Sequence, residues 1–217
     1  MSAVRPDAGP TLPALLRRRF GIPAWATLGV AALVAALAVA GIVSALTRPP
    51  SPGRQVVHEG PPVFNLLHQP GALRSVAPQG RELLRLEGRR GRLSAAVVVE
   101  PLELPPFEGD VTHGLLPSHA NTFMAAQERR LPGFALLQEG RARVNNGVGY
   151  EFGFSGRDGR ITGRQVLLVP DDPAEGRGFV LLSLRLERSG KLRKDERALA
   201  GVARKAWRSF RFGTERG

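Results

Sequence analysis

The chain of 217 residues has no cysteine. That excludes a disulfide framework, a thiol nucleophile, a cysteine-based metal site and a lipid-modified cysteine. Lysine is nearly missing: Lys191, Lys194 and Lys205 are the only lysines among 31 basic residues, and the others are arginines. Aromatics make up 6% of the chain, with a single tyrosine. The aromatic platforms that single-strand binders interleave with their cations are therefore lacking, and no nucleic-acid partner is expected. The net charge of +12 then reads as a solvated basic surface rather than a dedicated nucleic-acid site.

What the chain does have is one long uncharged run. Residues 25–46, from Trp25 to Leu46, hold no Asp, Glu, Lys or Arg, and only Thr27 and Ser44 are polar. A helix of that length measures about 33 Å, enough for a hydrocarbon core of about 30 Å. Arg5, Arg17, Arg18 and Arg19 precede the run, while Arg48 and Arg54 follow it, so the positive-inside bias keeps the N-terminus in the cytoplasm. The expected organisation is a basic cytoplasmic tail (1–24), a single membrane span (25–46), a linker rich in proline (47–55) and an extracytoplasmic domain (56–217). A cleaved export signal is the alternative, because Arg17-Arg18-Arg19-Phe20 is similar to a twin-arginine core; the domain would then be secreted. Ala32, Ala36 and Ala40, with Gly41 and Ala45, place small residues on one helix face, which would permit a homodimer.

Beyond Val56 the pattern turns to short strands. Expected strands are Phe64–Leu67, Leu83–Glu87 with a turn at Gly88–Gly91, and Leu93–Val99 ending at Pro101. A loop over 101–117 precedes a helix from an N-cap at Ser118 to about Arg130, whose buried side is Ala120, Phe123, Met124, Gln127 and Leu131. Strands Phe134–Gln138 and Arg141–Val144 lead to a hairpin signal at Asn146-Gly147. Tyr150, Phe152 and Phe154 alternate on the next strand, Asp158-Gly159 turns into Ile161–Val169, and Val180, Leu182, Leu184 and Leu186 line the face of another. A helix over Lys194–Ser209 buries Leu199, Val202, Ala203, Ala206 and Phe210, and Ser209–Phe212 adds a short edge strand. Tight turns between consecutive strands imply an antiparallel sheet, so the class is α+β with helices packed on the sheet.

This order, with Phe64–Leu67 running into Pro70-Gly71 and the chain closing on Ser209-Phe210, resembles the PsbP-like superfamily over about residues 56–212. The family includes the photosystem II extrinsic subunit, a Ran-binding nuclear import factor and bacterial extracytoplasmic proteins. The resemblance implies an α/β/α sandwich on an antiparallel sheet of about six strands and a non-enzymatic binding or assembly module, here on a bacterial single-pass membrane protein. It assigns no catalytic residue, cofactor or metal.

The chemistry available elsewhere is sparse. Asp110, His113 and His119 share one segment rich in proline and could serve a metal-dependent or hydrolytic enzyme of the envelope, the alternative to a binding module. Asp171-Asp172 could ligate calcium, although aspartates in turns more often bond their own backbone. Gly147-Val148-Gly149 with Gly153 has the wrong spacing for a phosphate loop, and Ser155 lacks that of a nucleophile elbow. Glu139 and Glu151 could pair across strands, with neutralisation of Arg141 or Arg143 the plainer role for Glu139. The remaining candidate is a basic face on the last helix: Arg197, Arg204, Lys205 and Arg208, with Arg211 beyond, facing anionic lipid or an envelope polymer. The expectation is a non-enzymatic module with no cofactor and no metal, whose partner is a protein or envelope component.

Overall fold

The computed structural model describes residues 53–171 and 178–214. The Trp25–Leu46 run, its small-residue face and Asp172 lie outside the described residues. Among the described residues no helix is long and apolar enough to cross a membrane.

The domain opens with β1 (Arg54–His58), β2 (Phe64–His68), β3 (Arg74–Val76), β4 (Leu84–Arg90) and β5 (Leu93–Leu102). Helix α1 (Leu116–Arg130) leads to β6 (Ala135–Val144), β7 (Gly147–Gly156), β8 (Ile161–Pro170) and β9 (Phe179–Arg188), and α2 (Lys194–Arg208) with β10 (Arg211–Phe212) completes it. Seven strands make the main sheet in the order β3-β4-β5-β9-β8-β7-β6, and β1-β2-β10 make a second, smaller one. Every pairing is antiparallel. The α+β class is as expected, but the strands divide between two sheets rather than forming one of about six.

Period-two alternation sorts the side chains to two cores. Val166, Leu168, Val180, Leu182 and Leu184 point to the α2 side, where Leu199, Ala203 and Trp207 meet them together with Phe64, Leu66, Phe210 and Phe212. Their neighbours Leu167, Val169 and Leu181 point to the α1 side and pack with Phe152, Phe154, Leu116 and Ala120. Because a helix covers each face, the second half of β8, Val166–Pro170, reads as a continuous apolar run instead of an alternating one. Tyr150, Phe152 and Phe154 do share a face, as do Val180, Leu182, Leu184 and Leu186.

Several boundaries differ from the sequence expectations. The β4–β5 turn is Gly91-Arg92, three residues past Gly88, which lies inside β4. A Cβ at Gly88 would strike the Ala72 carbonyl and Leu73, so this glycine permits close packing, whereas Gly91 at φ +54° makes the turn. Strand β5 continues through Pro101, which pairs with Val180. Val99 turns its carbonyl toward the Leu83 amide, just before β4, and Pro101, two residues on, faces the same side beyond the start of β4, so no ladder donor is lost. The α1 segment starts earlier than Ser118: the Asp110 carboxylate accepts from the Thr112 and His113 amides and caps a π-helical turn, Val111–Leu115, that runs into α1 with Pro117 in its first turn. The β6–β7 loop is Asn145-Asn146, with Asn145 at φ +51°; Gly147 already belongs to β7, and the Phe212 ring lies 2.9 Å from where its Cβ would be. The buried stripe of α2 also contains Ala200 and Trp207, while Val202 is only partly buried.

Candidate anion-binding site

The residues that the sequence offers for catalysis or metal binding do not converge. Asp110 Oδ2 lies 2.6 Å from His113 Nδ1, and the Arg141 guanidinium lies 2.6 Å from His113 Nε2. A guanidinium can only donate, so Nε2 accepts from Arg141 and its lone pair is already engaged. The Thr112 hydroxyl, followed by the His113 amide, holds the Asp110 carboxyl far below the usual carboxylate range. His119 instead meets Phe123 edge-on, with ring centroids 5.5 Å apart. Among the described residues no three His, Asp or Glu side chains are grouped to hold a metal ion. Asp171 pairs with Arg143 at 2.7 Å.

Glu139 and Glu151 cannot act together, because the register puts them on opposite faces. Glu139 stands opposite Phe152 on the α1 side, whereas Glu151 stands opposite Val166 of the α2-side core. Glu151 pairs with Arg164 at 3.2 Å and accepts from Gln138. Glu139 adjoins Tyr150, and burial together with that carboxylate pushes the Tyr150 hydroxyl up. Neither Arg141 nor Arg143 takes Glu139 as its partner; they go to His113 and Asp171. Ser155 sits mid-ladder between Ala135 and Thr162. A Cβ at Gly149 would strike the Leu167 carbonyl, so this glycine serves strand packing rather than phosphate binding.

The basic face of α2 is exposed but divided. Arg204 overhangs a hollow with Leu137 and Arg164. Lys205 borders another beside His68. Only Arg208 and Arg211 share one, a hollow of about 460 Å³ walled by Gln55, Asn65 and Ser209. Arg197 stands apart, with its guanidinium 3.5 Å from the Arg193 carbonyl.

A denser concentration of charge lies at the other end of that helix. The β4–β5 turn, the end of β9 and the β7–β8 turn bring Arg89, Arg92, Arg188, Arg160 and Arg157 to one open cleft of about 620 Å³. All five are exposed, and among the described residues Glu187 is the only carboxylate lining the cleft. The frame is built from backbone bonds. The Arg188 amide donates to the Arg160 carbonyl at 2.8 Å, the Ser189 amide to the Arg92 carbonyl at 3.0 Å, and the Arg160 amide to the Arg157 carbonyl at 3.1 Å. Glu196, 2% exposed, accepts from the Arg92 and Arg193 amides and so joins the start of α2 to this rim; those two amides hold its carboxyl below the usual range. Glu187 is shared by Arg157 and Arg185 at 3.4 Å each, which leaves the cleft strongly positive. The sequence carries a trace of this site in its arginine-rich turns, Arg89-Arg90-Gly91-Arg92 and Arg157-Asp158-Gly159-Arg160. Their convergence depends on β9 lying between β5 and β8, which spacing along the chain does not reveal.

On the α1 side a groove of about 350 Å³ runs between the helix and the sheet, with Glu100, Arg85 and Arg130 at its polar end. Gln127 donates to Gln165, which donates to the Ser183 hydroxyl at 2.9 Å, along its floor. Burial, reinforced by Glu82, raises the Glu100 carboxyl.

No protein-family model matches the chain, and no curated protein matches it. Among solved structures, the cyanobacterial PsbP (CyanoP) of Synechocystis sp. PCC 6803 is similar at 12% identity with a TM-score of 0.49, covering 76% of this chain and 95% of that one. A Pseudomonas aeruginosa protein of unknown function is similar at 15% identity with a TM-score of 0.35, covering 70% and 94%.

Proposed function

We propose that this chain is a single-pass membrane protein, N-terminus inside, that presents a PsbP-like, non-enzymatic binding domain outside the cell and uses it to hold an anionic partner. The observation that supports the binding role is the convergence of five arginines on one cleft lined by a single carboxylate. Clustered cations raise the local concentration of a counter-charged partner and speed its capture, and guanidinium forks grip oxyanions two bonds at a time. The reading also fits the scattering of the acid, base and histidine candidates over separate faces. Anchoring rests on the uncharged run 25–46 and its flanking arginines.

Two measurements test the proposal. Alkaline carbonate washing of membranes leaves an anchored chain in the pellet, and protease added to spheroplasts removes the domain but not the N-terminal tail. Release into the wash, or a mature N-terminus near Gly41 or Leu46, refutes the anchor. Full-length protein in non-ionic detergent is then passed over phosphocellulose. Retention that falls in the Arg92→Gln/Arg160→Gln variant, but not in an Arg204→Gln/Arg208→Gln variant, supports the cleft as the binding surface; equal retention of both variants refutes it.

A further inference from the structure

The five arginines do not surround a point; they form a row. Strand order converts their positions into a line: Arg89 lies one residue before the end of β4, Arg92 turns into β5, Arg188 ends β9, and Arg160 and Arg157 lie in the turn joining β8 to β7. These strands are consecutive neighbours in the sheet, and with strands about 4.8 Å apart the row spans roughly 14–19 Å along the strand ends. One phosphate reaches only one or two of these forks. Occupying all five takes a ligand that repeats its charge along its length.

We propose that the cleft is a site for a linear phosphate chain laid across the strand ends from β4 to β7, an inference that rests on the anion-binding reading above. The cleft is open rather than enclosed, so a polymer can pass through it with both ends free. Its lining contains no aromatic side chain on which a base could stack, so it suits a phosphate backbone rather than nucleobases. Its place in the domain separates it from the surface that adjoins the start of the described chain. Gly53 borders the hollow at the C-terminal end of α2 with Arg208 and Ser209, while Arg92 and Glu196 mark the N-terminal end. The 15 residues of α2 put about 22 Å between those ends.

The test uses full-length protein in non-ionic detergent and compares orthophosphate, tripolyphosphate and long-chain polyphosphate by competition against a fluorescent polyphosphate. Affinity is expected to rise steeply with chain length and to level off once the chain crosses the row. For five phosphate contacts at about 0.7 released ions each, affinity for the long chain falls roughly 100-fold between 50 and 200 mM salt, and removal of two contacts in Arg92→Gln/Arg160→Gln cuts that dependence to roughly 20-fold. Orthophosphate that competes as well as the long chain overturns the linear site while leaving anion binding intact. The linear site is overturned equally if phosphatidylglycerol vesicles, or single-stranded DNA, outcompete polyphosphate through these arginines. If both glutamine variants match the wild type with every probe, the anion-binding reading itself fails.

Discussion

The tail of the chain is held by a stack of rings, and removing one ring measures how much that stack contributes. Phe210 is fully buried between Phe64, centroid 5.5 Å away and stacked, and Phe212, 5.2 Å away and edge-on; Phe64 in turn stacks on His58 at 5.0 Å. A phenylalanine buries about 150–250 Å². At about 25 cal/mol per Å² its removal costs roughly 4–6 kcal/mol, an upper bound because unfolded chains already bury some surface. Phe→Ala substitutions in cores fall at about 3–5 kcal/mol. We therefore expect Phe210→Ala to cost about 4 kcal/mol and Phe210→Leu, which keeps most of the volume, about 1–2 kcal/mol. Domains hold only about 5–15 kcal/mol in total, so the alanine variant approaches the threshold of folding. The assay is urea unfolding of a chain starting at Gly53, followed by Trp207, its sole tryptophan. Hydrogen exchange should accelerate first in β1 and β2. A loss below about 1 kcal/mol with an unchanged urea slope would refute the idea that this stack fastens the tail.

Other expectations follow from neighbouring contacts. Asn146 accepts from the Phe212 amide at 3.0 Å and donates to its carbonyl at 2.9 Å, so Asn146→Ala should cost about 1–3 kcal/mol for two bonds, read in the same urea experiment. Trp207 Nε1 is buried without a hydrogen-bond partner among the described residues, so Trp207→Phe should cost less than about 1 kcal/mol by calorimetry, whereas Trp207→Ala should cost about 3–5 kcal/mol. Burial, with Glu82 beside it, raises the Glu100 carboxyl above its ordinary value when folded, so the folded state binds its proton more readily than the unfolded chain. Stability should therefore decline as pH rises past that value, and Glu100→Gln should flatten the decline in thermal melts recorded across pH. Asp110 has the opposite sign: its contribution is present above the ordinary carboxylate range and is lost as pH falls, and Asp110→Asn should remove that acid sensitivity.

Local signals in the sequence translate well where a single face or turn decides the outcome. The α2 range is right to a residue because acidic residues open it, basic ones close it and its apolar positions keep one period. Gly88 and Pro101 mislead for a shared reason: each reads as punctuation, and each is accommodated inside a strand by what lies beside it, the Ala72 carbonyl in one case and the end of β4 in the other. Asp110 reads as a metal ligand, yet its carboxylate caps a helical turn, a role that its sequence distance from Ser118 hides. The basic surface is legible as composition but not as a place. Charges at 89, 92, 157, 160 and 188 become neighbours only through a non-consecutive strand order, while of the five cations on and beyond α2 only Arg208 and Arg211 share a hollow.

The pairing of β10 with β2 sets the order in which this protein can be finished. Asn65 donates to the carbonyl of Gly213, 148 positions away, and Arg211 lies opposite Asn65 in the ladder. Closing a loop of that size costs about 4 kcal/mol in chain entropy before any contact rewards it. A ribosome delivers the two partners at opposite ends of the domain's synthesis. Until β10 emerges, one edge of β2 and the rings of His58 and Phe64 stay open to water or to another chain. The domain should therefore be slow to complete, sensitive to removal of β10, and most in need of a chaperone until β10 has left the ribosome.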